Sequence, residues 1–245
     1  MTEVETGSRG SLGTVRNAAT LLHLLAEGPA YQQLTELAER SSLSLPTVHR
    51  LLRSLSLAGL VDQDPRSARY GLGPELVRLA HRYLGRLPVL AALSPYLMPV
   101  RDALGASVDV VLHTRGWVTY VDRAEGAESG LYREPHRVAP ALRTAPGRLL
   151  AARATDDSWE LALAQLAEDE RAAAAPQRDA WRSAPHIALP LPEQGAIEVA
   201  VPVLDGSGTA TAALVASVSD DAAAATAVTH LSRAAQAAGR TLGHV

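Results

Sequence analysis

The segment Ser44–Arg53 gathers side chains that can grip or read nucleic acid within three helical turns. Arg50 and Arg53 are three residues apart, so on a helix they share one face. A guanidinium can bond bidentately to guanine O6 and N7, or hold a phosphate. Ser44 and Thr47 stand at the N-terminal end of the segment. That end of a recognition helix usually enters a DNA groove, and its free N–H groups attract phosphate. His49 lies beside the arginine stripe, where it either touches phosphate or packs between helices. Arg66 and Arg69 follow in a turn-rich stretch and are placed to hold neighbouring backbone. Two arginines alone are equally well read as solvated charge, so the surrounding elements must carry the assignment.

A second set of residues suits a small ligand. Ala145, Pro146 and Gly147 open a helix, where backbone N–H groups either receive an anion or simply start the helix. Glu198 interrupts an apolar strand, AIEVAVPVL, and points either to solvent or into a pocket. Ser217 and Ser219 are two apart on one strand and share a face, as small polar groups lining a cavity would. Catalytic signatures are missing. Gly206-Ser207-Gly208 lacks the spaced glycines of a nucleophile elbow and reads as a turn. None of the eight histidines forms a metal-binding pair of helical spacing, and neither phosphate-loop nor dinucleotide motifs occur. Asp109 and His113 share a strand face but lie roughly 13 Å apart, too far for a direct dyad. No enzyme activity, metal or cofactor is expected.

The elements that position these residues can be read from periodicity. Residues 1–12 are polar and Gly/Ser-rich and read as a disordered leader. Apolar residues at helical spacing predict helices over 14–27, about 33–40, and from Ser44 as N-cap to Gly59. In the last of these Val48, Leu51, Leu52 and Leu55 face inward. Short strands at 60–62 and 69–72 around Pro65-Arg66-Ser67 make a wing, so 13–73 reads as a winged helix-turn-helix. A linker helix covers 74–87. The rest, 88–245, mixes a helix to Leu104, strands at 108–114, 117–123, 186–191, 197–204 and 209–219, and helices at 147–154, 156–169 and 222–242. Residues 168–180 form an irregular loop or a short helix. This alternation predicts an α+β domain, an antiparallel sheet with helices on its faces.

Composition agrees. With 245 residues and 47% hydrophobic content the chain has material for two cores, and without Phe these must be packed by Leu, Val and Ala. There is no Cys, hence no disulfide or thiolate chemistry. Every basic residue is Arg; residues 1–86 carry net +2 and residues 87–245 net −5, a modest bias towards a DNA-binding N-terminal half. No secretory signal or membrane-length apolar run is present, so a cytoplasmic protein is expected.

The chain resembles the IclR family of bacterial transcription regulators. LTELAERSSLSLPTVHRLLRSLSLAGLVDQDPRSARYGLGPELVRLA carries the resemblance in the first half; VTYVDRAEG, LRTAPGRLLAA and GAIEVAVPVLDGSG carry it in the second. The resemblance implies an N-terminal winged helix, a linker helix and a GAF/PAS-like effector-binding domain, in a homodimer or homotetramer on operator DNA. It implies an effector pocket at Ala145–Gly147, Glu198, Ser217 and Ser219, and a small organic metabolite as ligand. The chain departs from the family pattern at Leu45 and Pro46, where a basic residue and a serine are usual, and at Arg148, where lysine is. Ile187–Leu191 lacks an acidic residue, and Glu198 stands where several relatives are neutral. An ionised Glu198 would repel a small carboxylic acid, so the expected ligand is larger and less acidic, or carries a donor group. The expected function is a ligand-responsive repressor. The alternative is a metabolite-binding protein or enzyme whose winged helix makes protein contacts.

Overall fold

The computed structural model describes residues 5–126 and 137–243, with side chains from residue 13 onward. The chain divides between Arg86 and Leu87 into two compact units.

The N-terminal unit contains α1 (Glu5–Glu27), α2 (Leu34–Ser41), α3 (Leu45–Leu57), β1 (Val61–Gln63), β2 (Tyr70–Leu72) and α4 (Glu75–Leu84). Leu21 and Leu25 of α1, Leu37 of α2 and the Val48/Leu51/Leu52/Leu55 stripe of α3 form one core, closed by Val61 and Tyr70 from the wing. β1 and β2 pair antiparallel, Val61 opposite Leu72 and Gln63 opposite Tyr70. The disordered leader is corrected over residues 5–12: α1 begins at Glu5. Once its C-terminal half is packed, each residue added towards the N-terminus fixes one more hydrogen bond without a new nucleus, which carries the helix through Gly7 and Gly10. Residues 1–4 lie outside the described residues.

Gln32, a residue to which composition and spacing assign no role, ties this unit together. Its buried side-chain amide donates to the carbonyls of Leu24 and Leu25 at 2.9 and 3.3 Å, and to that of Pro29 at 3.3 Å. It thereby satisfies acceptors that the end of α1 leaves open. Arg40 of α2 donates to its Oε1 at 2.6 Å, and its backbone exchanges hydrogen bonds of 2.8 and 2.9 Å with Tyr70 of β2.

The C-terminal unit comprises α5 (Pro88–Leu104), β3 (Val108–Thr114), β4 (Trp117–Ala124), β5 (Val138–Pro140), α6 (Ala145–Arg153), α7 (Asp156–Leu163), α8 (Glu168–Ala174), α9 (Arg178–Ser183), β6 (Ile187–Leu191), β7 (Ala196–Leu204), β8 (Ala210–Val218) and α10 (Asp221–Leu242). Its sheet runs β5-β4-β3-β8-β7-β6, with every pair antiparallel. Helices α5 and α10 cover one face and α6 the other. Coverage on both faces explains why β7 is apolar at nearly every position and not at alternate ones. The β3–β4 turn is Arg115-Gly116, both with positive φ (50° and 86°), as a tight twisted hairpin requires. The stretch 168–180 resolves into α8 and the start of α9, and the expected helix 156–169 into α7, which ends at Leu163, and the first residues of α8. Acidic residues crowd the first turn of α8, where the helix dipole favours them. β5, a three-residue edge strand, has no periodicity long enough to predict it.

Candidate functional site

Helix α3 is anchored from behind and open in front. Its four inward residues are buried, while Ser44, His49, Arg50 and Arg53 are exposed and Thr47 is half-buried. Of the alternatives for His49, exposure excludes packing between helices within the described residues. Ser44 occupies the N-cap position but makes no cap bond; its hydroxyl pairs with that of Thr47 at 2.8 Å. The two hydroxyls satisfy each other across the first turn, which corrects the capping role expected for Ser44. Leu45 is 44% exposed and Pro46 is exposed too, so the helix start presents an apolar patch beside those hydroxyls. In the wing, Arg66 and Arg69 are both exposed. The turn that carries them is braced by Asp64, whose carboxylate accepts from the N–H groups of Arg66 and Ser67 at 3.2 and 3.1 Å. The Ser67 hydroxyl and those N–H groups hold the Asp64 carboxyl below its usual range.

In the C-terminal unit the polar centre lies on the α6 face of the sheet. Glu198 on β7 is 1% exposed. Its Oε1 accepts from the phenol of Tyr120 on β4 at 2.8 Å, and its Oε2 accepts from the N–H of Ala145 at 2.7 Å. Burial, and then the neighbouring Glu198, push the Tyr120 phenol upward, so it stays protonated and donates. Arg137 lies over the Tyr120 ring at 4.9 Å from its centroid. Nearby Asp109 on β3 is 7% exposed and bonds Arg123 at 3.2 Å. Burial raises the Asp109 carboxyl above its usual 3.8, against the pull of Arg123. A carboxyl that binds its proton more tightly folded than unfolded adds stability at low pH, lost as the pH rises through its folded value. Asp109→Asn should therefore flatten the stability profile above about pH 4 relative to wild type. Urea midpoints across that range check it; parallel profiles would refute the assignment.

The expected pocket residues are only partly brought together. Ala145, Pro146 and Gly147 are buried, and Ala145 meets Glu198 directly. Of the alternatives for Glu198, solvent is excluded by its burial. Ser217 is the register partner of Glu198 on β8 yet is exposed, and Ser219 is exposed beyond the strand, its hydroxyl donating to Asp220 at 3.0 Å. The two serines line a depression of about 260 Å³ with Gly105, Gln194 and Ala223. A larger cleft of about 430 Å³ lies between Leu142, Arg148, Leu166 and Trp181, with the Arg143–Glu170 ion pair at its side. Glu198 lines neither. Arg148, whose guanidinium sits over Trp181, is bound to the Leu142 carbonyl at 2.9 Å. Nothing in the sequence marks Tyr120 and Arg123 as partners. Tyr120 is 78 residues from Glu198, and only the strand order brings them together. Among the described residues no cluster of His, Asp and Glu is arranged to hold a metal, and no helix is long and apolar enough to cross a membrane.

Comparison with known proteins bears on both units. The model of the IclR helix-turn-helix domain matches residues 14–65. The glycerol operon regulatory protein of Streptomyces coelicolor is 34% identical over 145 residues, 58% of this chain and 56% of that protein. The chain thus spans little more than half the length of this curated relative. The crystal structure of an IclR transcriptional regulator from Alicyclobacillus acidocaldarius superposes with a TM-score of 0.72 at 25% identity, over 93% of this chain and 98% of that one. An IclR homologue from Microbacterium hydrocarbonoxydans, whose crystals hold 4-hydroxybenzoate, shares the fold with a TM-score of 0.70 at 21% identity, over 95% and 100% of the two chains. Residues 14–65 thus form an IclR helix-turn-helix domain, and the chain shares its fold with an IclR transcriptional regulator along nearly its whole length.

Proposed function

We propose that the protein is a ligand-responsive transcription regulator, a repressor, that binds operator DNA through α3 and the wing and a small organic metabolite through its C-terminal unit. The observation that carries this reading is the two-sidedness of α3, which is core-locked by four apolar residues and offers Arg50 and Arg53 to solvent beside a wing that exposes Arg66 and Arg69. Ser44 and Thr47 contact phosphate or bases at the helix start, and His49, Arg66 and Arg69 hold backbone. Leu45 suits a thymine methyl, the one apolar feature of the major groove. The bound 4-hydroxybenzoate in the Microbacterium relative supports a small-molecule ligand for the C-terminal unit, where Ser217 and Ser219 line one depression and Glu198 and the start of α6 lie buried outside it. The site of action is the cytoplasm, where the DNA is.

Helix α4 supports a homo-oligomer. By helical spacing Leu76, Val77, Leu79, Ala80, Tyr83 and Leu84 share one side, and Glu75, Arg78, His81 and Arg82 the other. None of its residues is buried; Val77 and Tyr83 are 59% and 58% exposed. A second copy covering this stripe gives two winged helices for two half-sites. Val77→Asp with Tyr83→Asp should shift the protein towards monomer in light scattering at micromolar concentration; an unchanged mass would remove α4 from the interface.

The function is tested by fluorescence anisotropy on the DNA upstream of the protein's own gene, over a salt series. Phosphate contacts release counterions, so affinity should fall steeply and log-linearly with salt. No binding at low salt would favour the alternative, a metabolite-binding protein with protein partners.

A further inference from the structure

The start of a helix leaves N–H donors without intrahelical partners, and at α6 the chain satisfies all of them itself. The Ala145 N–H donates to Glu198 Oε2 at 2.7 Å; Pro146 has no donor. The Gly147 N–H donates to the Thr144 hydroxyl at 3.1 Å, and the Arg148 N–H to the Thr144 carbonyl at 3.1 Å. The remaining oxygen of Glu198 is met by the Tyr120 hydroxyl. A carboxylate is thus already seated at the positive end of α6, between two converging donors, and it arrives from β7 and not from solution.

We propose that Glu198 is a built-in occupant of a carboxylate-binding position at the start of α6, so that a ligand reaching this place is uncharged or cationic. The ligand class rests on the ligand-sensing reading above; the occupancy does not. A ligand carboxylate at this place must evict Glu198, leaving a buried charge without its two donors, or sit beside it as a like charge with Asp109 on the same sheet face. An uncharged or cationic ligand faces neither cost. Removing the side chain should reverse the preference. Glu198→Ala vacates a carboxylate-sized space that keeps the Ala145 N–H and the Tyr120 hydroxyl.

The test uses the full chain, wild type and Glu198→Ala, with sodium propionate and sodium 4-hydroxybenzoate against sodium chloride at equal ionic strength. Glu198→Ala should melt below wild type, and a carboxylate at about ten times its Kd should raise its Tm by about 3–6 °C. Wild type should not move, and adding Tyr120→Phe to Glu198→Ala should weaken the rescue. Equal stabilisation of both proteins overturns the proposal, as does a Glu198→Ala protein that gains nothing. If Glu198→Ala does not fold, the Ala145 amide resonance of wild type decides. It stays fixed through the titration if Glu198 holds the place, and shifts if a ligand carboxylate replaces it. A wild type that binds no small molecule, beside a rescued Glu198→Ala, leaves the occupancy standing and removes the ligand-sensing reading.

Discussion

Gly147→Ala should destabilise the C-terminal unit by about 3 kcal/mol or more, at or beyond the upper end of ordinary overpacking. A Cβ added there would lie 1.9 Å from the carbonyl oxygen of Ala141 and 2.4 Å from its carbonyl carbon. These atoms cannot swing aside as a side chain would. Ala141 is fully buried, and its N–H is held by the Gly116 carbonyl at 2.9 Å. Relief would require α6 to back away from the preceding turn, which pulls the Ala145 N–H off Glu198. Since a domain's net stability is about 5–15 kcal/mol, a loss of this size is a large fraction of the whole. Denaturant unfolding measures it. Gly13→Ala, which meets nothing within 4 Å and lies inside α1, is the control and should be neutral or stabilising by up to about 1 kcal/mol. A Gly147→Ala protein as stable as wild type would mean that α6 is not held against the turn as described.

Arg50→Ala combined with Arg53→Ala should remove specific operator binding. An arginine that reads a base is worth about 1–3 kcal/mol of discrimination, so the pair is worth roughly 2–6 kcal/mol, enough to bring specific affinity down towards nonspecific levels. Both side chains project from a helix whose opposite face is locked in the core, so their loss should leave the fold intact. Arg66→Ala and Arg69→Ala should act differently: each weakens binding evenly across sequences and lowers the salt slope by about one. Anisotropy with operator and scrambled duplexes separates the two behaviours. Unchanged affinity and unchanged sequence preference in the Arg50/Arg53 double variant would refute the role of α3.

What could be read from the sequence follows the range of the interactions. The inward stripe of α3 repeats every three to four residues, and the Arg115-Gly116 turn is a two-residue event, so both are local and both were legible. The continuation of α1 into Gly7–Gly10 was not, because intrinsic propensity argues against helix there while the packed half of α1 argues for it. In the C-terminal unit the five longer strands announced themselves, but β5 and the polar centre did not. Glu198 could be singled out as an oddity in an apolar strand; that its oxygens meet Tyr120 and Ala145 depends on contacts 78 and 53 residues apart in the chain. Ser217 and Ser219 show how far strand parity reaches. It pairs them with each other, and the resemblance sets them with Glu198; Ser217 is the register partner of Glu198, but the strand ends after Val218 and both side chains are in solvent.

The buried amide of Gln32 has a consequence for how an operator is discriminated. Because one side chain and its backbone join the end of α1, Arg40 of α2 and Tyr70 of β2, the wing is tied to the helices on which the recognition helix packs. Under the proposed function, each DNA reader is then a stamp of fixed relief whose imprint on a half-site is set by the chain alone. In the proposed homo-oligomer, the interval between two stamps is what a metabolite would adjust.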